Sequence, residues 1–149
     1  MGFLYFAAAT LGSIGANKLI KKYNFNPKKM YVLLRTILAV CLILTALQTK
    51  IPVFIVFYSS IYLFFGMSSI PEGVILNGEI PNEVRASVLS VNSLTMQVGG
   101  LAGSMLYSIL INYISIPGIW MIAASVVLIA VAVVALKFLK KPPVNANAQ

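Results

Sequence analysis

Chemistry has few groups to work with in this chain, and most of them sit in one place. The only carboxylates, Glu72, Glu79 and Glu83, all fall in the stretch PEGVILNGEIPNEVRASVLSVNSL of residues 71–94, where Arg85, one of two arginines, joins them. There is no histidine and no aspartate, which excludes imidazole bases, histidine-ligated metals, Ser–His triads and aspartyl dyads. The one cysteine, Cys41, lies in the apolar run Val40-Cys41-Leu42 and reads as a small core hydrophobe. Ser59, Ser60 and Ser104 have no activating base to call on. The expectation is a protein that is not an enzyme and needs neither metal nor cofactor.

What remains is charge to be balanced or carried. Pro81 suits the first turn of a helix, and Glu83 would then favour the positive end of that helix dipole. Arg85 has no acidic neighbour at helical spacing. Its partner must come from afar: Glu72 or Glu79 across the turn, a lipid phosphate, or a separate part of the protein. We expect it to pair with a carboxylate or a helix end at a cytoplasmic gate. Were the preceding helix to run past Pro71 to Asn77, Glu72 would lie one or two turns inside the membrane boundary. A carboxylate there could carry protons, because desolvation disfavours a charged form; the plainer reading is a solvated turn residue.

The elements that must hold these groups follow from composition. Of 149 residues, 60% are hydrophobic and 9% charged, against about 25% charged in an average soluble domain. The net charge of +8 does not form a nucleic-acid-binding face; the lysines cluster between apolar runs, as in membrane proteins. A bilayer core needs about 20 helical residues, and five segments meet or approach this: about 2–20, 30–47, 51–70, 86–114 and 118–138. The first has its lysines after its apolar core, not before it, and so reads as a spanning helix, not a signal peptide. The expected architecture is an all-α integral membrane bundle of five transmembrane helices over residues 1–141, with a disordered tail at 142–149.

Basic residues concentrate in the first connection (Lys18, Lys21, Lys22, Lys28, Lys29), in the third through Arg85, and in the tail. The positive-inside bias makes these sides cytoplasmic, leaving the amino terminus outside. Five helices that start outside suggest a further segment upstream.

Polar and small residues report which faces meet protein or water, since lipid provides no hydrophobic drive between helices. The third segment carries Tyr58, Ser59, Ser60, Tyr62, Ser68 and Ser69, with Gly66 and Pro71 marking a bend. The fourth carries Asn92, Met96, Gly99 and Gly103 beside Ser93, Gln97, Gly100 and Ser104, one broad face of amides, hydroxyls and glycines. The glycines Gly12, Gly99, Gly100 and Gly103 read as helix-packing positions. Asn92 and Gln97 need partners or water in hydrocarbon. The fifth segment has Ser125 as its only polar interior residue and the second is nearly as apolar; both are expected to face lipid, with Arg35 snorkelling to the headgroups.

On these residues the chain resembles the major facilitator superfamily of secondary transporters, in its carboxyl-terminal six-helix half without the first helix. ILNGEIPNEVRASVLSVNSLTMQVGGLAGS, residues 75–104, looks like the connection and eleventh helix of bacterial drug-efflux members, where an Ile-Pro-x-Glu-x-Arg-Ala stretch leads into a serine-rich helix with a glycine pair. SIGANKLIKK, residues 13–22, is similar to the degenerate second copy of the family's cytoplasmic loop signature; Ser13, Asn17 and Ile20 replace its glycine, acid and second glycine, and Lys18, Lys21 and Lys22 keep its basic character. The resemblance implies a partial six-helix half-bundle in the plasma membrane, a fragment of a transporter exporting small amphipathic molecules by alternating access, with proton coupling. Its partners would be the lipid bilayer, a small-molecule substrate, protons, and the missing amino-terminal half. Glu72, Arg85, Asn92, Gln97, Tyr58 and Tyr62 would line the pathway or its gate. The alternative is a non-transporting membrane protein, either a gene remnant or a small packing subunit.

Overall fold

A computed structural model describes residues 9–18 and 26–140, the last two as backbone only. The described residues are helical, without a strand. Residues 9–18 form α1, followed by α2 (Pro27–Ala46), α3 (Ile51–Glu79), a 3-10 turn (Asn82–Val84), α4 (Arg85–Leu110) and α5 (Ile116–Lys140).

Proline and polar caps set the starts. Asn26 caps α2 by accepting the Lys28 N–H at 3.0 Å, and Pro27 occupies the first turn, where its missing N–H has no partner to lose. Pro52 and Pro117 play the same part in α3 and α5. At the far end of α2, Gln48 Nε2 donates to the Leu44 carbonyl at 3.1 Å and supplies a partner the last turn lacks. α4 begins only at Arg85; Glu83 lies in the 3-10 turn ahead of it and not in the first helical turn.

The third helix does not stop before Pro71. It continues to Glu79, a length of 29 residues or roughly 43 Å, more than a bilayer core of about 30 Å requires. Pro71 cannot donate to the helix ladder. In the turn before it, Ser68 Oγ donates to Phe65 O at 2.8 Å and Ser69 Oγ to Gly66 O at 2.7 Å. These carbonyls lie one and two residues before that of Met67, whose helical donor the proline removes.

α2 is the hub, which corrects the expectation that it faces lipid. Eight of its residues are buried, and it packs against both α3 and α5. Leu38, Cys41 and Leu42 meet Ile61 of α3 and Ala124 of α5, with Trp120 and Phe64 alongside. Nearer its start, Met30 and Leu34 enclose Ala16 of α1 with Phe64, Met67 and Ile70 of α3. An apolar sequence cannot tell lipid contact from protein contact when both surroundings are hydrocarbon. α5 does expose Ile122, Val126, Ile129 and Val133.

α1 and α3 touch backbone to backbone. A methyl group on Gly12 would collide with the Leu63 carbonyl, and one on Gly66 would lie 2.7 Å from Ala9 Cα. The Ser13 hydroxyl bridges the contact, within reach of Ala9 O at 2.9 Å and Gly66 O at 3.1 Å.

Among the described residues, three helices combine the length and hydropathy of a membrane span: Pro27–Ala46, Ile51–Glu79 and Ile116–Phe138. α4 is long enough at 26 residues, but its amides, hydroxyls and glycines dilute its hydropathy. None of its residues is buried, and its main packing is on the preceding 3-10 turn.

Candidate functional site

The charged residues meet where the start of α2 lies against the ends of α3 and α5. Lys28 Nζ donates to Glu79 Oε1 at 2.8 Å and sits 5.3 Å from the Phe138 ring centroid. Two turns further along α2, Arg35 Nη2 donates to Glu72 Oε2 at 2.8 Å. The Arg35 guanidinium lies between two aromatic rings, with its carbon 5.4 Å from the Tyr31 centroid and 5.3 Å from that of Phe65. The snorkelling expected of Arg35 is thus replaced by an interhelical ion pair. Its physical reason is depth: Arg35 stands eight residues past Pro27, roughly 12 Å along the axis, and a carboxylate at hand is a better partner than a distant headgroup.

Glu72 is half-buried and one residue past Pro71, inside the continued helix; its side chain is 28% exposed and that of Arg35 18%. A compensated pair avoids the penalty that either charge alone would meet away from water. Glu83 is exposed in the turn. Arg85 turns back over the end of α3 and donates from Nη2 to the Asn77 carbonyl at 3.3 Å. That carbonyl belongs to the last turn, where intrahelical donors run out and the dipole favours a cation. The Nε atoms of both Arg35 and Arg85 are buried without a hydrogen-bond partner.

In the opposite half of α3 lies an aromatic group. The Tyr58 and Tyr62 hydroxyls are 2.7 Å apart, with their rings edge to face at 4.9 Å. Phe54 stacks on Tyr58 at 5.7 Å, and Trp120 of α5 presents an edge to Tyr58 at 6.0 Å. These residues join α3 to α5, apart from the ion pairs.

The α4 positions form a separate set. Asn92 is half-buried, and Ser93, Gln97 and Ser104 are exposed. Gln97 Nε2 is 3.4 Å from Ser93 Oγ, and Ser104 Oγ donates to its own helix at Gly100 O. A Cβ added at Gly99, Gly100 or Gly103 would meet open space, in contrast to Gly12. The helix therefore presents its polar and small residues uncovered by the described parts of the chain. Lys18 is exposed at the end of α1; Lys21 and Lys22 lie outside the described residues.

Sequence reasoning missed Lys28 and Arg35 as interacting groups and offered Glu79 and Glu72 to Arg85 instead. The available signal was a shared interval: the two cations stand seven residues apart on one helix and the two anions seven apart on the next. Among the described residues, no three His, Cys, Asp or Glu side chains gather into a metal-binding group.

The sequence profile of the Major Facilitator Superfamily matches residues 1–149, the whole chain. No curated protein and no solved structure matches it.

Proposed function

The chain belongs to the Major Facilitator Superfamily, a family of membrane transporters, and from that premise we propose that it works in the proton-coupled export of small amphipathic molecules. The observation that carries this reading is the uncovered face of α4. Amides and hydroxyls at Asn92, Ser93, Gln97 and Ser104 are costly in hydrocarbon, so a helix displaying them calls for water or further protein on that side. Helices outside this bundle supply the other wall of the pathway, and the substrate site lies between the two sets. Tyr58 and Tyr62, with an apolar ring and a polar tip each, suit a molecule that is part greasy and part polar, as in bacterial drug-efflux transporters.

Glu72 is the proton carrier in this proposal. It is the carboxylate set within a helix and half-buried, and a proton arriving there would displace Arg35. Arg85, at the end of α3, acts at the gate. The lysine-bearing end of the bundle faces the cytoplasm and the amino terminus lies outside, in the plasma membrane. Support comes from Lys28 meeting both Glu79 and Phe138, which gathers the start of α2 and the ends of α3 and α5 at one end.

The test is accumulation of a fluorescent amphipathic dye in cells producing the complete protein, with and without a collapsed proton gradient. Export that depends on the gradient, and that falls at least tenfold in N92L/Q97L while membrane abundance holds, supports the proposal. Dye accumulation identical to cells without the protein, at normal abundance, would overturn it in favour of a non-transporting membrane protein.

A further inference from the structure

The two ion pairs between α2 and α3 share one spacing. Moving seven residues along α2, from Lys28 to Arg35, moves the partner seven residues back along α3, from Glu79 to Glu72. Seven residues are two turns, so both rungs lie on one face of each helix, roughly 10 Å apart. The residues around them, among them Met30, Leu34, Met67 and Ile70, are flexible or branched hydrophobes that would pack almost as well in a neighbouring register. In lipid there is no hydrophobic drive to resist a slide.

Charge resists it. A slip of one turn leaves all four groups unmatched. A slip of two turns leaves one pair matched and strands the other two charges, Lys28 with Glu72 in one direction or Arg35 with Glu79 in the other. Of these registers, only the observed one satisfies all four charges. Both anions also lie beyond Pro71, in the segment of α3 that has lost a bond to the rest of its helix.

We propose that Lys28, Arg35, Glu72 and Glu79 act as a register key that fixes α2 against the part of α3 beyond Pro71. In this role, which for Glu72 is additional to the proton step proposed above, the four position one helix against the other, and their arrangement explains why two of the three carboxylates of so apolar a chain stand seven residues apart. A polar device that specifies register at little gain in stability has a precedent in the buried asparagine of coiled coils.

The experiment is cross-linking in membranes containing the complete protein, on a Cys41→Ala background that removes the single thiol of this chain. Val32 lies between the two cations on the surface of α2, and Ile75 between the two anions on α3, so V32C/I75C reports the native register. V32C/G78C reports a slip of about one turn. A short bismaleimide is expected to join the first pair at least fivefold more efficiently than the second. In K28Q/R35Q/E72Q/E79Q, which removes the key without stranding a charge, the preference should fall to within twofold of unity. The fourfold swap K28E/R35E/E72R/E79K, or R35E/E72R alone should the fourfold variant fail to insert, should restore it. A neutral variant that keeps the fivefold preference, or an inserted swap that does not regain it, would overturn the proposal. Cross-linking is indifferent to transport, so failure here leaves the proposed function standing.

Discussion

Replacing Gly66 by alanine adds one methyl group at the tightest contact between α1 and α3. The new Cβ would lie 2.7 Å from Ala9 Cα, where ordinary carbon contacts are about 3.5–4.0 Å. The obstacle is backbone, which cannot rotate aside as a side chain could, so the helices must part by about 1 Å. Overpacking of this kind costs about 1–3 kcal/mol. The separation also stretches the 3.1 Å contact from Ser13 Oγ to Gly66 O beyond useful geometry, a further loss of about 1 kcal/mol. Against this, alanine favours helix over glycine by up to about 1 kcal/mol, leaving a net destabilisation of about 1–3 kcal/mol from these terms. Gly73, in the same helix, is the control: a methyl group there meets nothing within 4 Å, so G73A should be neutral or stabilising by up to about 1 kcal/mol. Both variants can be unfolded in lipid–detergent micelles by titrating sodium dodecyl sulfate, with the fluorescence of Trp120, the only tryptophan, as the probe. Coincident midpoints for G66A and G73A would show that the α1–α3 contact does not restrain the fold as argued here.

Arg35→Gln leaves Glu72 unpaired away from bulk water and should destabilise by up to about 3–5 kcal/mol, less in proportion to its partial exposure, whereas R35Q/E72Q should recover most of the loss; a double variant as unstable as the single one would contradict the pairing. Thiols introduced as K18C and K137C should both react with an impermeant reagent applied from the cytoplasmic side, since the ends of α1 and α5 lie together in this bundle; labelling from opposite sides would refute the topology. Gly103→Leu meets open space within the chain and should shift the unfolding midpoint by less than about 0.5 kcal/mol. Under the proposed function, in which that surface meets helices outside this bundle, it should nevertheless abolish export. A loss of stability of several kcal/mol in the isolated bundle would show that α4 is already packed.

The sequence by itself determined that the chain is helical, membrane-borne and short of catalytic groups, because oily runs of bilayer length and an absence of histidine and aspartate are one-dimensional facts. It also places the start of α3 at residue 51, whereas α2 starts at Pro27, three residues ahead of the expected span, where Asn26 supplies a local cap. Three things only the tertiary structure decided. The first is that α2 lies at the centre of the bundle: hydrophobicity ranks surfaces against water and is silent when the competing environment is lipid. The second is the continuation of α3 through Pro71, since a lost backbone bond is tolerable in a membrane where packing encloses the gap, and Pro71 is buried. The third is the pairing of Arg35 with Glu72 and of Lys28 with Glu79. Charges far apart along the chain have no mutual energy until an antiparallel helix pair brings them within 3 Å, and that proximity is a property of the packed bundle alone.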